Sequence, residues 1–359
     1  MHKALKGTES YDVCQFLSCG LSTFMMFHGK NNCTFKKIFR FAYCSLSPKM
    51  ESSSREIVFF LNGLNDTKSN KLIYFSCSFL IYLFTIFVNL TLVVTVMLDR
   101  VLHEPMYIFL CNLCVNGIYG ATGFYPKFLL DLLSDSHIIS YSACITQLFT
   151  VYTYILCQFT NLTVMAFDRY VAICKPLEYH SIMTPGKVGK LLLVPWLLPF
   201  CEIIIGYILM ARLPFCGFKI DKLYCTNWDV VKLSCIDTSV NNLYGYVIVI
   251  IQFIQALLIV ISYFHIIRTC LRSKAEQNKF METCLPHVIT LTTFYLSAAF
   301  DVLYARYGSS SSLQGLRNFF SIEYLIIPPL LDPLIYGLKL KQIRRSVWRL
   351  LSRKVSALM

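Results

Sequence analysis

"LTVMAFDRYVAIC", residues 162–174, sets an acid and a base, Asp168 and Arg169, side by side where an apolar run ends. In a soluble core such a pair is costly unless fully hydrogen-bonded. At a membrane boundary the same two side chains can reach water. The solvent around the run therefore decides the fold, and the composition of the chain identifies that solvent.

The chain has 359 residues, of which 56% are hydrophobic and only 15% charged, with a mean hydropathy of +0.56. Ordinary globular domains carry about 25% charged residues, so the deficit points to lipid. A bilayer core needs about 20 apolar residues in a helix. Windows of that kind fall at roughly 72–97, 105–130, 142–167, 191–211, 241–267, 283–305 and 315–338. The second holds Asn116 and three glycines, and the seventh holds Glu323, Asp332 and three prolines. Such residues survive at membrane depth only where neighbouring helices satisfy them. The expected fold is an all-α membrane protein, a seven-transmembrane helix bundle spanning 72–338.

Net charge is +13, and its placement sets orientation. One alternate set of loops plus the tail 339–359 holds fifteen Lys and Arg, against ten in the other set. This places the C-terminus in the cytoplasm and the N-terminus, with its tail 50–71, outside. The tail "KLKQIRRSVWRLLSRK" alternates bases with Ile343, Val347, Trp348 and Leu351, as a helix lying on anionic membrane lipids does. Residues 1–49 hold seven Lys and Arg and no clear cleavage site; they read as an extension upstream of a functional start at Met50. Asn65-Asp66-Thr67, just outside the first window, is a glycosylation sequon. Asn89 and Asn161 also begin sequons, but inside membrane windows.

Several function classes fail. No G-x-S-x-G, phosphate-binding glycine loop or H-E-x-x-H occurs, so hydrolytic and metalloprotease chemistry has no support. A transporter would want several ionisable groups at mid-membrane, and little is found beyond Asp332 and Glu323. Nucleic-acid binding fails because the bases lie beside membrane helices. Most of the sixteen cysteines sit in apolar runs, but Cys216, Cys225 and Cys235 lie in a polar outer loop. Disulfides persist on that oxidising face; a zinc site is the rival, without any C-x-x-C to favour it.

The words around the opening pair go further. "MAFDRYVAICKPLEYHSIMT" (165–184) closely resembles the third-helix signature of odorant receptors, a branch of the rhodopsin-like G-protein-coupled receptors. "LHEPMYIFLCNL" (102–113), "PKFLLDLLS" (126–134), "RLPFCG", "LYC" and "KLSC" (within 212–235), "KFMETCLPHV" (279–288) and "PPLLDPLIYGLK" (328–339) follow in family order. The resemblance covers roughly residues 50–350. "NGIYGATGFYPKFLLDLL" (116–133) looks more like fish-type members.

The resemblance implies a plasma-membrane receptor, in the cilia of olfactory neurons, with no enzymatic activity. It would bind a small odorant and activate a stimulatory heterotrimeric G protein. It implies disulfides Cys144–Cys225 and Cys216–Cys235, and a switch in which Arg169 leaves Asp168, with Tyr170 beside it and Tyr336 as partner. Family spacing places Val151, Tyr152, Ile155, Tyr295 and Ala298 around the ligand. An amine receptor wants an acid in the outer half of helix three, where this chain has Val151. The family's usual helix-two acid falls on Gly117, while Asp332 stands where relatives keep Asn. The carboxylate is therefore expected to face Asn89 and Asn116. Two readings stay open, a sodium ion held there or a protonated Asp332 acting as a tether.

Overall fold

The computed structural model describes residues 57–62, 70–271, 285–307 and 314–358. Residues 1–49, the sequon at Asn65, and Cys284 lie outside them. Among the described residues, seven helices are long and apolar enough to span a membrane: α1 (Lys71–Leu98), α2 (Pro105–Leu133), α3 (Tyr141–Cys174), α4 (Pro185–Ala211), α5 (Ser239–Cys270), α6 (Leu285–Tyr307) and α7 (Gln314–Lys339). An eighth, α8 (Lys341–Leu358), carries the basic tail. The expected windows fall on these helices. α3 and α4 run past their windows on the cytoplasmic side, where backbone hydrogen bonding continues after the apolar run ends.

Local chemistry fixes the boundaries. Pro105 and Pro185 sit in the first turns of α2 and α4, where a missing N–H costs nothing. Ser140 caps α3 by accepting from the Ala143 N–H at 3.3 Å, satisfying one of the orphan donors of the first turn. α3 is the axis of the bundle: 83% of its apolar window is buried, against 17% for α5. Leu80, Phe87, Phe253 and Phe264 on α1 and α5 stay exposed, as lipid-facing positions should.

α2 can lie against α3 because it lacks side chains at the contact. A Cβ on Gly120 would stand 2.3 Å from the Tyr154 ring, and one on Gly123 would stand 2.4 Å from Thr150 Cγ2. Small residues of this kind let membrane helices approach.

α7 contains Pro328, Pro329 and Pro333. Each proline removes the N–H that would bond the carbonyl four residues earlier. Two of the freed carbonyls find side chains on other helices. Tyr324 O accepts from the Tyr154 hydroxyl at 3.0 Å, and Pro329 O accepts from Asn89 Nδ2 at 2.7 Å. α7 thus keeps its broken ladder satisfied by leaning on α3 and α1.

Over the outer end lies a small sheet, ordered β2-β1-β3, of β1 (Val58–Leu61), β2 (Ile138–Ser140) and β3 (Lys219–Ile220). β1 pairs antiparallel with β2, Phe59 opposite Ile139, and parallel with β3, Phe60 opposite Lys219. Phe59, Ile139, Ile220, Cys144 and Cys225 form a buried apolar cluster beneath it.

Candidate functional site

Polar chemistry collects at three depths, each reaching α3. At the cytoplasmic end, Arg169 Nε donates to Asp168 Oδ2 at 3.0 Å, and its terminal nitrogen bonds the same oxygen. Tyr179, on the following loop, donates to Asp168 Oδ1 at 2.8 Å. Burial, and then the Asp168 charge, push the Tyr179 hydroxyl above its usual value, so it remains a donor. Asp168 is almost fully buried and its two oxygens are both engaged. The Tyr170 ring stands 5.9 Å from His265 on α5, and Tyr336 is buried in the main core.

At mid-membrane the structure corrects one expectation. Asp332 does not bond Asn89 or Asn116 directly. Its Oδ2 accepts from Gln158 Nε2 at 2.8 Å, and Gln158 Oε1 accepts from Asn116 Nδ2 at 3.0 Å. Gln158 on α3 therefore relays between α2 and α7. Asn89 is instead committed to the carbonyls of Thr85 and Pro329. The reason is chemical: glutamine is both donor and acceptor, so Gln158 can accept from Asn116 and donate to Asp332 at once. Asn89 Oδ1, Asn116 Oδ1 and Asp332 Oδ1 are buried without a hydrogen-bond partner. These oxygens match the hard donors that a sodium ion takes. Among the described residues no group of three His, Cys, Asp or Glu could hold a metal.

In the outer half, Val151, Ile155 and Ala298 lie in one buried cluster, with Tyr152 and Tyr295 packed against it. The Tyr295 ring stands 4.4 Å from the Phe159 ring, while its neighbour Phe294 is fully buried. The Tyr152 hydroxyl accepts from the Asn227 N–H at 3.2 Å, tying α3 to the second outer loop. That loop is pinned by two disulfides, Cys144–Cys225 and Cys216–Cys235, with Cα separations of 5.5 and 5.2 Å.

The sequence reading missed a polar group at the same level. Lys222 of the loop is fully buried and its ammonium bonds Asp301 Oδ1 on α6. Tyr324 donates to Asp301 Oδ2 at 3.2 Å, and Tyr224 bonds the Tyr324 hydroxyl. A signal was present, since Asp301 is an acid inside an apolar window. A further missed contact joins Asn112 to Asn161 at 2.9 Å and to Trp196 at 2.8 Å.

A seven-helix bundle with a disulfide-pinned outer loop and an acid–arginine pair at the cytoplasmic end of α3 defines a rhodopsin-like receptor. The fold agrees with that of squid rhodopsin, at a TM-score of 0.64 and 14% identity over 80% of this chain and 88% of that one. The family profile of olfactory receptors matches residues 78–354. Mouse olfactory receptor 2C1 is 33% identical over 85% of this chain and 98% of its own length. Human olfactory receptor 8U1 is 36% identical over 82% and 96%. The chain belongs to the olfactory receptor family. It is a multi-pass plasma-membrane receptor for a small molecule that acts through a G protein, and not an enzyme.

Proposed function

We propose that this receptor signals through a G protein of the stimulatory olfactory type, with Arg169 as the switch. The observation that carries the reading is the closed Asp168–Arg169–Tyr179 cluster. It holds the arginine at the cytoplasmic end of α3, as a resting state requires. A ligand favouring a second arrangement of the bundle would release it. Tyr170 and Tyr336 are assigned to the same switch.

The odorant site is assigned to Val151, Tyr152, Ile155, Tyr295 and Ala298, an apolar lining with tyrosine hydroxyls as polar anchors. Asp332, with Asn89 and Asn116, is assigned to holding the resting bundle; the unpartnered oxygens there would take a sodium ion when one is bound. The exposed Trp348 and the bases of α8 support contact with anionic lipid. Asn65 is assigned as the glycosylation site, and Met50 as the start of the functional chain. The wording of 116–133 supports the fish-type branch.

Expression of the chain from Met50 with a stimulatory olfactory G protein should give odorant-dependent cyclic AMP, and Arg169→Ala at equal surface density should give none. A full response in that variant overturns the switch assignment.

A further inference from the structure

Lys222 is a fully buried lysine on a loop, and its ammonium is neutralised by Asp301 on a membrane helix. Asp301 also accepts from Tyr324, and Tyr324 is bonded by Tyr224. Phe294 meets the Tyr324 ring at 6.3 Å, edge to face. The acid is thus held beside the hydroxyls of Tyr324 and, through it, Tyr224. Tyr154, Val151 and Ala298 belong to the same apolar cluster as Tyr224 and Tyr324.

The two members of the pair are not equally placed. Asp301 is fixed within α6 and oriented by a tyrosine from α7. Lys222 reaches it from a loop, on a flexible four-carbon stem that can return its head to water. Removing the acid would leave a buried cation alone, which is costly. Exchanging the ammonium for another one keeps every charge and hydrogen bond of Asp301 in place. The volume vacated is that of an alkyl chain ending in a cation.

We propose that Asp301, bonded by Tyr324 with Tyr224 behind it, anchors the ammonium group of a small primary alkylamine, and that Lys222 is a tethered stand-in which such a ligand displaces. This rests on the odorant-receptor reading and specifies its ligand class. It also supplies, from α6, the acid that α3 lacks at Val151.

The test uses the purified full-length receptor, thermally unfolded with n-hexylamine, n-hexanol or n-hexanoate. Hexylamine should raise the melting temperature of the wild type. It should act at roughly ten-fold lower concentration on Lys222→Met, because an internal competitor has been removed. The neutral pair Lys222→Met/Asp301→Asn should fold and lose the effect. If Lys222→Met reaches the cell surface poorly, hexylamine in the medium should restore its expression and hexanol should not. The proposal is overturned if hexylamine protects neither wild type nor Lys222→Met, or protects the double variant equally. Protection by hexanoate that requires Lys222 overturns it in favour of an acid ligand. The assay contains no G protein, so failure to bind amine is distinct from failure to signal.

Discussion

Gln158 Nε2 stands 2.8 Å from Asp332 Oδ2 and is the direct link between the carboxyl of α7 and the central helix. Gln158→Leu should leave that carboxyl, and Asn116 opposite, short of a partner. A buried polar group left unmade costs about 1–3 kcal/mol, so the purified variant should melt at lower temperature and its basal signalling should change. Asp332→Asn keeps an acceptor for Gln158 and should lose less. Equal melting of wild type and Gln158→Leu would show that the link contributes nothing.

Tyr179→Phe removes a hydrogen bond to a charged acceptor, Asp168, worth about 1.5–3 kcal/mol. If that bond exists only in the resting state, basal cyclic AMP should rise while maximal response stays the same. Adding Arg169→Ala should return the signal to background. An unaltered basal level at matched surface density would remove Tyr179 from the switch.

Cys144→Ser or Cys225→Ser opens a bridge between α3 and the outer loop. Disulfides commonly contribute about 2–4 kcal/mol, and retention in the endoplasmic reticulum is the expected outcome. Peptide mapping without reduction should recover the pairs 144–225 and 216–235. A different connectivity would refute the arrangement.

Gly120 and Gly117 offer an internal comparison on one helix. A methyl at Gly120 collides with the Tyr154 ring, whereas one at Gly117 comes no nearer than 3.3 Å to Asn89 Oδ1. Overpacking costs about 1–3 kcal/mol, so Gly120→Ala should express markedly worse than Gly117→Ala. The reverse order would mean that α2 and α3 pack differently.

The seven helices were legible because length and apolarity are properties of a single segment. The Asp168–Arg169 pair was legible for the same reason, since both partners are adjacent in the chain. Gln158 and Lys222 were not, because their meaning depends on the helix opposite. A glutamine in an apolar run carries no mark of the acid it will meet. Tyr154 and Asn89 were hidden in the same way, although the prolines at 328 and 333 announced that two carbonyls of α7 would need donors. The expectation that Asp332 faces two asparagines left out Gln158, which accepts from Asn116 and donates to Asp332.

The parallel pairing of β1 with β3 sets an order on how the receptor is made. β2 is delivered to the lumen soon after β1, once α1 and α2 have crossed. β3 cannot arrive until α3 and α4 are also in place, and the lysine at 222 comes with it. Pairings between residues far apart in the sequence form slowly. The sheet therefore cannot close until α1 to α4 are inserted. At that point Lys222 has no acid, since the ribosome has yet to reach α6 when β3 emerges. A nascent chain in the endoplasmic reticulum is accordingly open at its luminal end, and quality control meets the mouth of the receptor before it meets the finished bundle.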